Sequence, residues 1–282
     1  MKAIILNLSA WIMLPIMDGF AKYLSSTLPV LQITWSRYFF TVVIALPIML
    51  IFFRKNLTWT EQPKLQLIRG LLLFCANVLF FYSISIISLA KALTLAFIAP
   101  LIVTALSPIL LGEKVGFRRW LAVITGFIGS LIVIRPGFVE LNLASIAALG
   151  TGVLYGFYLI VTRKLHDSDN PLLTLLLTGV VGAILGSMIL PTVWVQPSIT
   201  EWYMMFAIGF FASIGHLFLI LSLKYADASK LAPFSYFEII TNIIIGYYFF
   251  SNFPDNWTFL GLFIIISSGI YVWKREAKIK DI

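Results

Sequence analysis

The sequence predicts an all-α membrane protein: ten transmembrane helices arranged as two inverted five-helix repeats. Three observations predict it: composition, the distribution of cations, and an internal repeat. Hydrophobic residues make up 60% of the 282 and charged residues 11%, against a usual charged share of about 25% in globular chains. Mean hydropathy is +0.99. Apolar runs of about 20 residues, the length that crosses a bilayer, follow one another from end to end. They leave no room for a separate soluble domain.

Taken in order, the expected spans are 3–24, 30–53, 67–87, 91–111, 118–135, 143–163, 171–193, 201–223, 230–250 and 256–274. The first carries Asp18 on a face shared with Trp11, Pro15 and Lys22, at helical steps of three to four. The second carries Arg37. The third follows the long loop Arg54–Gln66 and holds Tyr82. The fourth enters from the short turn Ser88–Ala90 and contains Phe97, Pro100 and Pro108. Gly126 and Gly129 in the fifth, and Gly261 and Gly269 in the tenth, permit close helix packing. The sixth carries Tyr155 and Tyr158, and the eighth His216. The ninth contains Tyr236 and, on one face, Ser235, Glu238, Thr241 and Asn242, a polar stripe on an otherwise apolar helix. The connecting segments are short, and several hold Pro, Gly, Asn or Asp, the usual turn formers.

The net charge of +8 points to membrane orientation and not to nucleic acid, because Lys and Arg gather in cytoplasmic loops. With ten spans and both termini inside, most of the 20 basic residues fall on the inner side. They include Arg54, Lys55, Lys64 and Arg69, then Lys114, Arg118 and Arg119, and finally Lys274, Arg275, Lys278 and Lys280. The outer segments Trp194–Thr200 and Ser251–Asp255 contain none. Localisation in a bacterial inner membrane follows as an expectation. The first apolar run continues past Asp18 to Leu24 with no small-residue cleavage site, so it reads as a span and not as a signal peptide. A single Cys75 rules out an internal disulfide framework.

The repeat has an offset of about 140 residues. KYLSSTLP (22–29) matches KLHDSDNP (164–171), Ser88–Gly112 can be laid on Ala226–Phe250, and GSLIVIR (129–135) matches GIYVWKR (269–275). The halves are 1–137 and 138–282. Five spans each is an odd number, so the two halves face opposite ways, an arrangement common in secondary transporters with a site near the midplane.

The candidate site residues are those that do not belong in lipid. A carboxylate at a helix centre costs about 2.5–3.5 kcal/mol on insertion scales, so Asp18 and Glu238 locate the working part of the chain. The competing explanation for Asp18 is an ion pair with Lys22, four residues on. Glu238 could bind a cation, exchange a proton, or act as a structural hydrogen-bonding group. Arg37 could bind a carboxylate bidentately, or snorkel toward headgroups or pair with a protein acid. His216 titrates near neutrality, although a lone His on an apolar helix is more often a packing residue. Asn242 shares the Glu238 face. Trp11, Tyr82, Phe97, Tyr155, Tyr158 and Tyr236 adjoin the polar stripes, and aromatic faces with a carboxylate can receive an organic cation. No metal-ligand spacing, nucleotide-binding loop or catalytic motif is present. An enzyme, a metal and a cofactor are therefore not expected, and any pumping would draw on a gradient.

Several segments resemble the drug/metabolite transporter superfamily of EamA type: DGFAKYL (18–24), WSRYFF (35–40), IRGLLLF (68–74), APLIVTALSPILLGEK (99–114), GFIGSLIVIRPG (126–137), YADASKLAPFSYFE (225–238) and NFPD (252–255). The resemblance covers essentially the whole chain and implies two inverted five-helix repeats and alternating access without ATP. Within the family, Asp18, Lys22, Tyr23, Leu24, Arg37, Asp227, Ala228, Pro233, Tyr236 and Glu238 fall on a pattern similar to S-adenosylmethionine uptake transporters of intracellular bacteria. Asn252 departs from it, standing where that pattern often has an acid. The resemblance implies a small amphipathic metabolite as substrate, S-adenosylmethionine first. Aromatic walls would then stack the adenine, Glu238 and Asp18 would face its positive groups, and Arg37 its carboxylate. An exporter of amino acids or other metabolites, with or without proton coupling, is the alternative. A multipass scaffold or membrane enzyme is the alternative of another class. The bilayer and a small molecule are the expected partners. Oligomeric state does not follow from the sequence, which is compatible with a monomer.

Overall fold

The computed structural model describes residues 2–52, 60–111, 117–134, 142–165, 170–225 and 237–280. The described residues form eleven α-helices and a short 3-10 turn (Leu190–Thr192), with no strand among them. The helices are α1 (Lys2–Leu24), α2 (Val30–Phe52), α3 (Pro63–Ile86), α4 (Leu89–Ala96), α5 (Ala99–Leu111), α6 (Phe117–Ile134), α7 (Leu143–Lys164), α8 (Pro171–Ile189), α9 (Ile199–Tyr225), α10 (Phe237–Phe250) and α11 (Asn256–Lys280). Among the described residues, α1, α2, α3, α7, α8 and α9 contain stretches long and apolar enough to cross a membrane. Those in the remaining helices are shorter.

Local chemistry sets the helix starts. Asn142 accepts from the amide of Ala144 at 2.8 Å, and Asn170 from that of Leu172 at 2.9 Å with Pro171 next in the chain. Ser198 and Glu201 form a reciprocal capping box at α9. Asp255 accepts from the Thr258 amide at 2.8 Å to open α11. Pro63 begins α3, where its missing N–H costs nothing.

Three elements differ from expectation. The span expected over 91–111 is two helices, broken at Phe97–Ile98. Pro100 cannot donate the amide that would carry α4 into α5. The broken region lies tight against α7, where a Cβ on Gly152 would sit 2.7 Å from the Ala96 carbonyl oxygen. The helix expected from 67 begins at Pro63, so Arg69 lies in its second turn and not at its inner end, and is buried. The last helix runs to Lys280. Asp227, Ala228, Pro233, Ser235 and Tyr236 lie outside the described residues.

The packing repeats itself. α1 lies on α9 and α3 on α7; α2 touches α8 and α9, and α8 touches α2 and α3; α10 lies on α1 and α5 on α7; α6 lies on α11. Exchanging α1–α3, α5 and α6 for α7–α9, α10 and α11 maps these pairings onto one another. Close approach at the α6–α11 pair follows from Gly129 and Gly261, as expected. A Cβ on Gly261 would meet the Gly129 carbonyl oxygen at 2.6 Å.

The distribution of polarity is that of a membrane protein. Large apolar side chains such as Ile51, Ile109, Phe249 and Phe263 are exposed, while Gln32, Arg37, Arg69, Asn77 and Asn242 are buried. Such an apolar exterior suits lipid, and the helical backbone satisfies its own hydrogen bonds there.

Candidate functional site

α2 is gripped from two sides. On α8, Gly179, Gly182 and Gly186 face Thr41, Tyr38 and Trp35, and a Cβ on Gly182 would lie 2.3 Å from the Tyr38 ring. On α9, a Cβ on Gly209 would lie 2.3 Å from the Phe40 Cβ. Small residues four apart, as at Gly182 and Gly186, let membrane helices approach closely. This clamp seats Arg37 in the interior at 2% exposure.

The Arg37 Nη2 contacts His216 Nε2 from α9 at 2.7 Å. A guanidinium only donates, so His216 Nε2 accepts and its proton resides on Nδ1. The guanidinium carbon lies 4.8 Å from the Tyr38 ring centroid, and the Tyr38 hydroxyl accepts from Asn77 Nδ2 at 2.6 Å. Arg37 Nε and Nη1 have no partner.

A second cation borders the same cavity. Arg69, 1% exposed, donates from Nε to Thr162 Oγ1 at 2.8 Å, from Nη1 to Thr178 Oγ1 at 2.6 Å and the Thr174 carbonyl at 3.3 Å, and from Nη2 to the Tyr158 hydroxyl at 2.8 Å. The Tyr155 and Tyr158 rings stack at 5.2 Å. Arg37, Tyr38, Arg69, Tyr158, Thr178 and His216 contribute to the cavity wall, and apolar side chains such as Leu73 and Ile220 complete it. There is room for about one water molecule.

Asp18, 3% exposed on α1, leaves its Oδ1 without a partner. It is within electrostatic range of both Arg37 and Glu238, yet forms no ion pair among the described residues. The ion pair with Lys22 weighed from sequence does not form. Lys22 Nζ instead donates to the carbonyls of Ile84 at 2.5 Å and Ile87 at 3.0 Å, at the end of α3. Glu238 is half-buried in the first turn of α10, where a carboxylate also complements the helix dipole.

The structure thus gathers Arg37, His216 and Tyr158 at one cavity, with Tyr155 stacked behind Tyr158. Asp18 and Glu238 lie within electrostatic range. Trp11 is elsewhere: its Nε1 donates to Asn7 Oδ1 at 2.8 Å, in a cluster with Leu14 and Leu219. Phe97 is buried in the main apolar core and Tyr82 packs against it. Asn242 donates to the Glu238 carbonyl at 3.1 Å and leaves its Oδ1 without a partner. Sequence reasoning missed Arg69, Tyr38 and Asn77. The signal for Arg69 was Pro63: a helix opened by that proline carries position 69 into its second turn.

Comparison with known proteins extends the picture. The model of the EamA-like transporter family matches residues 1–135 and 142–273. The S-adenosylmethionine uptake transporter of Rickettsia prowazekii (strain Madrid E) is 27% identical, over 97% of this chain and 94% of its own. The riboflavin transporter of Vibrio cholerae serotype O1 is 27% identical, over 96% and 92%. The pseudopaline exporter of Pseudomonas aeruginosa is 25% identical, over 89% and 90%. A solved crystal structure shares the fold with a TM-score of 0.68 over 95% of this chain and 94% of that one, at 16% identity.

Proposed function

Because the chain belongs to the EamA-like transporter family, and is therefore a multi-pass membrane transporter and not an enzyme, we propose that it is a secondary transporter of S-adenosylmethionine in a bacterial inner membrane. The observation that carries the reading is a carboxyl and a guanidinium, each with unpartnered atoms, in the buried interior. Asp18 Oδ1 and Arg37 Nε and Nη1 lack partners, although the two groups are within electrostatic range. A zwitterionic end group satisfies both: its carboxylate accepts from an open Arg37 donor and its ammonium donates to the Asp18 oxygen. The Tyr155–Tyr158 stack offers a face for an aromatic ring, and Glu238 a further partner for positive charge. The relatives named as S-adenosylmethionine uptake transporters support this choice of substrate.

The architecture belongs to the same proposal: ten spans, halves 1–137 and 138–282 in inverted orientation, and both termini cytoplasmic. The pairing of helices across the exchange of halves supports it, as do the two segments matched by the family. Transport then proceeds by rocking of one half against the other around the interior charges. The pseudopaline exporter among the relatives favours a second reading, export of an amino-acid-like metabolite through the same site.

Uptake of labelled S-adenosylmethionine into proteoliposomes, with and without unlabelled S-adenosylmethionine inside, tests the proposal against empty liposomes. Saturable, competed uptake is expected, with stimulation from inside if the mechanism is exchange. No uptake by folded, inserted protein overturns the substrate. Dependence on an imposed pH gradient identifies proton coupling.

A further inference from the structure

Arg69 has no part in the reading above, and its surroundings are unusual for a buried cation. Arginine carries five N–H donors, and four contacts to Thr162, Thr174, Thr178 and Tyr158 occupy most of them. Every one of those acceptors is neutral. The geometry of Arg69 is fixed while its charge is left without a counter-ion among the described residues. Buried charges are ordinarily paired. Arg37, on the same cavity wall, has the opposite character: one hydrogen bond to a neutral imidazole, and Nε and Nη1 open. Asp18 and Glu238 are near, but neither contributes to that wall. Among the described residues the cavity is bordered by two cations and no acid.

We propose that Arg37 and Arg69 together form a carboxylate subsite, in which Arg37 supplies open hydrogen-bond donors and Arg69 the fixed second charge that selects acids over their neutral amides. The proposal deepens the transport reading and rests on the ligand being the transported metabolite. A carboxylate accepts charge-assisted hydrogen bonds from the open Arg37 donors. With room for about one water molecule, the cavity admits a carboxylate only if a wall residue moves. Arg37, with one hydrogen bond to His216 and the Tyr38 ring beside it, is less tightly tied than Arg69 with its four hydrogen bonds, and is the residue expected to shift. Arg69 therefore acts as a positioning and specificity residue through its charge, and Arg37 makes the contact.

The test is ligand binding to the purified full-length protein in detergent. The panel is S-adenosylmethionine with its decarboxylated analogue, and free amino acids with their amides. Wild type is expected to bind at least one acid about tenfold or more tightly than its neutral counterpart. Arg69→Gln brings that ratio close to one, whereas Arg69→Lys, which keeps the charge, retains most of it. If Arg69→Gln does not fold, Thr178→Asp neutralises Arg69 where it stands and is expected to collapse the same ratio. A structural role alone lowers stability in these variants and leaves the ratio intact, which overturns the proposal. Equal binding of S-adenosylmethionine and its decarboxylated analogue overturns the subsite and leaves the substrate standing. Preference for another acid with no binding of S-adenosylmethionine overturns the substrate and supports the subsite. Binding of no acid in the panel overturns the subsite.

Discussion

The two buried arginines stand on neighbouring helices and face one cavity, yet they are held in opposite ways. Arg69 is tied to α7 and α8 by four hydrogen bonds, so α3, α7 and α8 meet at its guanidinium. Arg37 is hydrogen-bonded to His216 of α9 and keeps donors free. A saturated cation is a joint, and an open one is a receptor. The difference assigns the α3–α7–α8 side the task of holding shape, and the α1–α2–α9 side the task of engaging a ligand. Asp18, whose Oδ1 also lacks a partner, lies on that second side.

Removing Arg69 gives the largest expected change in stability. Arg69→Ala leaves three side-chain hydroxyls and a carbonyl without their donor and opens a hole between three helices. A loss of about 3 kcal/mol is expected from the unmet hydrogen bonds and the cavity, read as a marked drop in unfolding temperature in detergent. Arg37→Gln is expected to do the reverse. It removes few protein contacts, so the melting temperature changes little, while transport falls about thirtyfold or more, the scale of a lost charge-assisted contact of about 2 kcal/mol. If the two variants show similar profiles, the division of labour between joint and receptor is wrong.

The glycine clamp on α2 comes next. A Cβ at position 182 falls at 2.3 Å from the Tyr38 ring, too close to exist without movement of α2. Gly182→Ala is expected to cost about 1–3 kcal/mol, the range for overpacking. It is also expected to lower transport more than a lipid-facing control such as Ile184→Ala, because Arg37 moves with Tyr38. Equal transport by the two variants would detach the receptor from the packing that seats it.

How much of this was legible in the sequence follows from which forces act locally. Apolar runs and turn residues are local, and they placed most helices correctly. The interior charges were legible because lipid makes them costly: Asp18, Arg37 and Glu238 stand out in any hydropathy reading. The partner of each was not legible. Lys22 is the nearest cation to Asp18 in the chain, but it caps the carbonyls of Ile84 and Ile87 on another helix. Arg69 read as a topological charge because its helix start was set too late. The aromatic candidates divided by direction: Tyr158 turns to the cavity, while Trp11, Tyr82 and Phe97 turn to apolar packing, a matter of side-chain aim that spacing does not encode.

Lys22 offers a smaller, sharper test on the receptor side. If it holds the end of α3 and not Asp18, Lys22→Met frays that end and costs about 1 kcal/mol, with substrate affinity unchanged. A change in affinity matching that of Asp18→Asn would restore the ion pair that the structure lacks.

The smallest effect is expected far from both arginines, at the end of α10. Ser251 adopts a positive φ of 52°. Its amide donates to the Tyr247 carbonyl at 3.1 Å, and the next amide, of Asn252, reaches back to the Gly246 carbonyl at 2.9 Å. The first of these is the single bond of the left-handed helix ending, whose left-handed residue is usually glycine. A serine there carries a Cβ penalty of about 1 kcal/mol, partly offset because glycine has more freedom to lose on folding. Ser251→Gly is thus expected to stabilise by about 0.5 kcal/mol, a shift of a degree or two in unfolding temperature, and to leave transport unchanged. If it slowed transport, the turn between α10 and α11 would belong to the moving parts, and the contrast between joint and receptor would extend beyond the two arginines.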